Sequence, residues 1–412
     1  MVFGVGAYAQ GLMQLLQGDG AEVSAYLTRS DRHYPPTLSG TTYSKEQYPN
    51  PCELLEINKP DFIVPMSIDW HTQEWTTELI KMDIPVFSPV GKGIQLESNR
   101  EFSHELCNKY GIAFPASYMV HTAQEAEDIV KSTSVAYVIK NPLCSPSSPV
   151  QAMICETVED TLDCLKTVDC SEGLFLQEYV GKREVGHVVF VSDGEIHSLI
   201  TNQEYKRAFS GDMGVTTSIP LGGLAEQDPD DKYGLAKELI HPLLPWLKEV
   251  GFKGAIQVTA ALHKGKWHVL EYNVRIGATC TAMLLPMLIN PTELMYNVAR
   301  SKPIAPQFHK NMKFSCSLAL VGYGYPYVSV ANQSYHVKLK EKVDCDMWWD
   351  YVAEDQQGCL HTTGQRIADI VATENTLDAA IIKAYKNIRK IQCYSSYYRT
   401  DIGQSKWPPG EE

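Results

Sequence analysis

The sequence predicts a multidomain protein of mixed α/β and α+β class that begins with a doubly wound parallel sheet. Three observations point there. The chain has 412 residues, too many for one ordinary core and enough for roughly two to four packed units. Its first 90 or so residues alternate short apolar runs with helical patterns: VFGVGA, AQGLMQLL, EVSAYLT, DFIVPM, TQEWTTELIKM and PVFSP. That alternation is the βαβ rhythm of a parallel sheet. Beyond about residue 183 the pattern changes to longer strand-like runs with fewer helices.

The elements follow in order. Residues 1–90 form the N-terminal α/β unit. KGIQLESNREFSHELCNKYG, within 91–115, has helix-spaced apolar residues and a terminal Gly, and reads as a connector helix. Residues 116–182 form a small α+β unit, with an amphipathic helix in TAQEAEDIVKS, strands in AYVIK and GLFLQEYV, and the Ser/Pro-rich loop LCSPSSPV. Residues 183–303 are richer in strands (HVVFVSDGEIHSLIT, AIQVTAALH, KWHVLEYNVR), with one helix expected around KYGLAKELIHPLLPWLKEVG. A C-terminal unit, 304–412, has strands FSCSLALVGY and RIADIVAT and the helix TLDAAIIKAYKNIRKI.

Composition narrows the function. With 44% apolar and 21% charged residues the chain is expected to fold throughout. A net charge of -13 with no Lys/Arg block argues against nucleic acid and anionic membrane as partners. Eleven cysteines without Cys-x-x-Cys or zinc-type spacing read as reduced thiols. There is no signal-peptide pattern and no run of about 20 apolar residues, so a cytoplasmic enzyme is expected.

Five stretches carry chemistry. In HVLEYNVRIG, alternation along an extended strand puts Glu271, Asn273 and Arg275 on one face. The first two offer hard oxygen ligands for Mg²⁺, and the guanidinium can clamp a phosphoryl or carboxylate oxygen. A solvent-facing polar strand explains the same pattern. Lys140 ends an apolar strand, where it can reach an α- or β-phosphate or be a solvated rim residue. Gln177, Glu178, Tyr179 and Val180 form a hinge whose backbone can pair with an adenine edge, and Glu184 can accept ribose hydroxyls or be a surface carboxylate. EYKRAFSGDMG holds Lys206, Arg207 and Asp212 beside two glycines, suited to a transferring phosphate and also to an ordinary turn. GVGAYAQG sets Gly4 and Gly6 at the first strand-to-helix turn, where free N–H groups attract anions.

In this order the motifs resemble glycinamide ribonucleotide synthetase, the phosphoribosylamine–glycine ligase family of the ATP-grasp superfamily. FSPVGKGIQLESNREFSHELCNKYGIAFP is similar to its connector, AYVIK to its phosphate-lysine strand, and LFLQEYVGKRE to its adenine hinge. EYKRAFSGDMG is similar to its Asp-His-Lys-Arg loop, HVLEYNVRIG to its metal hairpin, and CSLALVGYGYP and YYRTDIG to its C-terminal domain. The resemblance implies a two-lobed ATP-grasp core (116–182 and 183–303), ATP with Mg²⁺ or alternatively Mn²⁺, and small carboxylate and amine substrates in a monomer or homodimer. It implies Lys140, the hinge 177–180, Glu184 and Arg100 for ATP, Glu271 and Asn273 for metal, and Arg275, Lys206 and Arg207 for catalysis. Gly4, Gly6, Tyr8, Asp69, Asp212 and Gly277 fall where substrate is expected. Trp70 and His71 share the Asp69 turn, with Trp70 read as core.

The departures are specific. LCSPSSPV replaces a Gly-rich loop, GVGAYAQG lacks the family's Arg, Glu and His, and Gly277-Ala-Thr-Cys280 replaces Gly-Asp-Pro-Glu. The sequence therefore predicts an amide-forming ligase acting on substrates other than phosphoribosylamine. The alternatives are a genuine phosphoribosylamine–glycine ligase and, from another class, a nucleotide-binding module without turnover.

Overall fold

A computed structural model describes residues 1–4, 6–28, 40–144, 152–182, 184–217, 219–326, 334–405 and 407. The Ser/Pro-rich segment expected to replace a Gly-rich loop lies largely outside them, at 145–151.

The N-terminal sheet has four parallel strands in the order Thr41–Ser44, Ser24–Leu27, Val2–Phe3, Val64–Pro65. Strand Thr41–Ser44 had no counterpart in the apolar pattern, because TTYS is polar and half-exposed at the sheet edge. PVFSP, expected as a strand, contributes a single parallel bridge between Ile63 and Val86. Its two flanking prolines have no N–H for a ladder.

The expected connector helix is two helices, Gln95–Ser98 and Arg100–Lys109, broken at Asn99. Asn99 is extended, and its side chain accepts from the Phe102 amide, an N-cap that makes the break stable. Gly111, with φ +69, follows the second helix as read from sequence.

The small lobe is an antiparallel sheet in the order Ser117–Val120, Leu174–Glu178, Tyr137–Lys140, Met153–Ile154. Its helix Ala123–Thr133 starts with a reciprocal cap: Thr122 accepts from the Glu125 amide, and the Glu125 carboxylate accepts from the His121 amide. The helix expected over 232–251 is divided into Leu235–Leu239 and Leu244–Glu249 by a 3-10 turn at His241–Leu243. Pro242 and Pro245 account for this, since each lacks an amide for continuous helix.

The large lobe and the C-terminal segment share one nine-stranded antiparallel sheet. Its order runs Lys266–Asn273, Gly254–His263, Glu184–Ser192, Glu195–Glu204, Gly222–Gln227, Phe314–Gly322, Arg366–Glu374, Asp346–Trp349, with Ser396–Tyr397 also pairing Phe314–Gly322. Strands on both sides of the boundary expected near residue 304 belong to this sheet. Helix Leu377–Ile388 packs on the C-terminal strands. All eleven cysteines are free, and among the described residues no helix is long and apolar enough to cross a membrane.

One buried ion pair ties three regions together. Arg366 is 2% exposed and Asp369 is 0% exposed. The Arg366 guanidinium donates to Asp369 Oδ1 at 2.6 Å, to the Tyr8 hydroxyl at 2.6 Å and to the Pro220 carbonyl at 3.0 Å. Tyr8 belongs to the first helix, Gly6–Gly18. Removing one member of such a buried pair leaves an uncompensated charge. Asp369→Asn is expected to destabilise the protein by about 3–5 kcal/mol, and Tyr8→Phe by about 1–3 kcal/mol, both read from guanidinium unfolding.

Candidate active site

The site is built from the edge of the large sheet outward. Strands Gly254–His263 and Lys266–Asn273 pair with Thr259 opposite Glu271 and Gln257 opposite Asn273. The register slips between Thr259 and Ala260, so Leu270 is the extra residue of a β-bulge. Its carbonyl is free to accept from Lys140 Nζ at 3.3 Å and from Gln177 Nε2 at 3.2 Å. The bulge thus supplies the contact through which the small lobe's lysine docks on the large lobe.

Lys140 is buried and also donates to Gln177 Oε1 at 2.7 Å. Burial, with Arg100 close by, lowers its pKa to about 8. Gln177 therefore acts through its side chain, while the backbone amides of Glu178 and Tyr179 donate to the carbonyls of Ala116 and Ala136.

Lys206 bridges two carboxylates, reaching Glu184 at 2.8 Å and Glu271 at 3.3 Å. Burial opposes its charge, but Glu184, Glu271 and Glu204 outweigh burial and raise its pKa well above the ordinary value. Lys206, followed by Lys140 and Arg100 and against the opposing effect of burial, holds Glu271 well below the usual carboxylate range. Arg100 lies 3.8 Å from Glu271 and donates through Nε to the Asn141 carbonyl at 2.9 Å. The structure thus brings Arg100, Lys140, Glu184, Lys206 and Glu271 into one network.

Arg275 is placed differently from the sequence expectation. The strand ends at Asn273 and Arg275 sits in the bend after it. It still returns to the site, 3.4 Å from Asn273 Oδ1, because Glu97 holds its Nε at 3.3 Å. Glu97 also accepts from the Val274 amide at 2.6 Å. Sequence reading missed Glu97; its only signal was a carboxylate within the apolar-spaced connector.

Glu204 was missed as well, although it lies in the quoted EYKRAF stretch at the end of a strand. It is half-buried, and desolvation raises its pKa while Lys206 acts in the opposite direction. Cys280, where the resembled family has a carboxylate, directs Sγ to Glu204 Oε1 at 3.3 Å.

The remaining candidates fall elsewhere. Arg207 donates to the Gly214 carbonyl and lies 3.7 Å from Glu156, apart from the Lys206 network. Asp212, exposed with φ +53, is engaged by Arg399 at 2.7 Å, so a tail residue occupies the carboxylate expected to meet substrate. Tyr8, expected in the amine pocket, is sealed in the Arg366 network. Asp69 is half-buried and accepts from the Ser67 hydroxyl; Trp70 is core, as read. Gly4 and Gly277 are close-packed, since a Cβ would come within 2.6 Å of Met66 and 2.5 Å of Gln257. Gly6 opens the first helix with φ +83, a conformation that favours glycine. A cavity of about 330 Å³ beside the hinge, lined by Phe114, Glu178, Val180, His263 and His268 among others, contains none of Lys140, Lys206 or Glu271. Charge geometry, not cavity size, marks the site.

Two models of phosphoribosylglycinamide synthetase match, its ATP-grasp domain over residues 98–281 and its C domain over 315–405. The chain belongs to the ATP-grasp superfamily. Phosphoribosylamine–glycine ligase of Thermotoga maritima is 24% identical over 392 residues, covering 90% of this chain and 92% of the relative. That of Clostridium acetobutylicum is 26% identical over 350 residues, 80% and 81% of the two chains. Among solved structures, a phosphoribosylamine–glycine ligase from Thermotoga maritima aligns over 97% of this chain and 98% of that one, with TM-score 0.77 and 22% identity. A biotin carboxylase from Campylobacter jejuni aligns over 96% and 92%, with TM-score 0.68 and 13% identity. The chain is thus an ATP-grasp ligase of the ADP-forming, C–N bond-forming class.

The Lys140 environment gives a pH test. The folded protein loses this proton near pH 8, whereas an unfolded chain keeps it to about 10.4. Folding therefore releases a proton in that window, and this group's contribution to stability rises with pH. Its positive charge is lost over the same range. The phosphate contact that the sequence expects of Lys140 predicts that ATP affinity measured by calorimetry weakens above pH 8 by up to about tenfold per pH unit, and that Lys140→Arg flattens that limb because guanidinium stays charged.

Proposed function

We propose that the protein joins a carboxylate to an amine through an acyl phosphate, and that its substrates are glycine and phosphoribosylamine. The observation that carries the reaction class is the Lys140–Lys206–Glu271–Arg275 constellation at the lobe junction. In the first step the substrate carboxylate attacks the γ-phosphorus of ATP, forming a C(O)O–P bond as the bond to ADP breaks. Lys206, freed from Glu271, and Arg275, steadied by Glu97, neutralise the charge spreading over the transferring oxygens. In the second step the amine attacks the acyl carbon, and phosphate leaves as the amide forms.

Glu271 and Asn273 fit a divalent metal: they are hard oxygen donors, and Glu271 stays ionised. A divalent ion held there would withdraw charge from the transferring phosphate. Lys140 is proposed to meet the α- or β-phosphate, Glu184 the ribose, and the Val180 amide the adenine edge, since the preceding two hinge amides are committed within the protein.

The substrate assignment rests on the nearly end-to-end match to relatives named phosphoribosylamine–glycine ligase. It is supported by the first helix, whose N-terminal turn carries no acidic residue and so favours an anionic, phosphate-bearing amine. A second reading, an amide ligase for another amine, is favoured by Tyr8 being sealed away and by Cys280 facing Glu204 in place of a carboxylate.

Glycine, ATP, Mg²⁺ and phosphoribosylamine generated in situ are expected to yield glycinamide ribonucleotide and phosphate in equal amounts. Phosphate release with other acid–amine pairs, and none with these, would establish the second reading. In the productive assay, Arg275→Ala and Glu271→Gln are each expected to lower kcat by about 10²–10³-fold.

A further inference from the structure

The face of the large sheet away from the catalytic carboxylates holds a second polar cluster. On strand Glu184–Ser192, Glu184 and His187 are an odd number of residues apart and project to opposite faces. His187 is fully buried beneath the helix Leu235–Leu239.

Its tautomer follows from its neighbours. Thr201 donates its single hydroxyl proton to Asp228 Oδ2 at 2.6 Å. The Thr201 oxygen, 2.9 Å from His187 Nδ1, must then accept, which puts the imidazole proton on Nδ1. Nε2 is left with a lone pair. No hydrogen-bond partner reaches it among the described residues, and it lies 3.9 Å from Asp231 Oδ1. An acceptor thus faces a carboxylate oxygen inside the protein, an arrangement that calls for positive charge between them.

We infer that His187, Asp231 and Asp228 form a binding site for a divalent transition cation of the Zn²⁺ type, separate from the catalytic metal site. Candidate ligand atoms of the three lie within 4.8 Å of one another. The 3.9 Å separation of Nε2 and Oδ1 suits one ion bonded to both at about 2.0–2.2 Å with a wide angle. An imidazole ligand selects zinc, cobalt or nickel over magnesium. The outer contacts that orient metal ligands are also in place. Thr201 fixes the histidine, the amides of Ala236 and Lys237 donate to Asp231 at 2.9 and 2.7 Å, and the Lys232 amide donates to Asp228 at 2.7 Å. Asp231, 12% exposed, opens the site to solvent. The ion pins the 228–234 loop and the following helix to the back of the sheet.

The test uses the full chain, stripped with chelator, given Zn²⁺ in excess Mg²⁺ and passed through gel filtration, with metal content then measured. About one zinc per chain is expected, and Co²⁺ in its place should show visible d–d absorption. His187→Gln should lose the retained zinc while Glu271→Gln keeps it; if His187→Gln does not fold, Asp231→Asn serves. No retained zinc and no cobalt absorption in the wild-type protein overturns the inference. So does zinc lost from Glu271→Gln and kept by His187→Gln, because the ion is then at the catalytic carboxylate.

Discussion

The orientation of the three regions that frame the site depends on the Arg366–Asp369 pair. A guanidinium at 2% exposure is tolerable only when its charge and donors are satisfied. Here Asp369 supplies the charge, and Tyr8 and the carbonyls of Pro220 and Ile219 take further donors. Those partners come from the first helix, the segment leading into strand Gly222–Gln227, and the C-terminal strand Arg366–Glu374. No relative shift of one against the others is possible without stranding a buried charge. The tail secures the Lys206 hairpin in the same way. Arg399, itself buried, donates to the Arg207 carbonyl and to Asp212, while Asp401 accepts from the Gly211 amide.

The cations proposed to meet phosphate are already paired within the protein. Lys206 is shared between Glu184 and Glu271, and Arg275 leans on Glu97. Half-buried charges are costly to leave unpaired, and here each is neutralised by a neighbouring carboxylate. On the proposed function, a metal held at Glu271 would release Lys206 to meet phosphate, so the site would need only an exchange of partners. Polar groups held in place beforehand cost little reorganisation when charge moves. Lys140 is the exception, since only neutral acceptors hydrogen-bond to it and its charge is the most easily lost.

How legible this was in the sequence depended on the range of the contacts. Strand alternation located Glu271 and Asn273, and the apolar run YVIK located Lys140, because those signals are local. The family likeness added Arg100, which alone resembled a solvated helix cation. Lost to sequence were features created by chain segments meeting: the bulge at Leu270, the Glu97 carboxylate under Arg275, and the tail arginine on Asp212. Tyr8 is the instructive case. A tyrosine beside a Gly-rich turn has the same local pattern whether it faces a ligand or an arginine 358 residues away. The single helix expected over 232–251 failed for a local reason, since two prolines within an apolar pattern outweigh its periodicity.

The sealed Tyr8 also bears on how the amine is held. With its hydroxyl committed to Arg366, the first turn offers a ligand no charged side chain among residues 4 and 6–8, only backbone at the start of a thirteen-residue helix. Backbone N–H groups and the helix dipole favour an anion but read little of its shape. On the proposed function, recognition of the rest of the amine would fall to groups such as Asp69 and the Glu204–Cys280 pair. Glu204 is the more discriminating of the two. Its carboxyl is half-buried, and desolvation raises its pKa while Lys206 acts in the opposite direction. Cysteine at position 280 also leaves Glu204 without a like-charged neighbour there, because a second carboxyl at 3.3 Å would compete with it for a single proton.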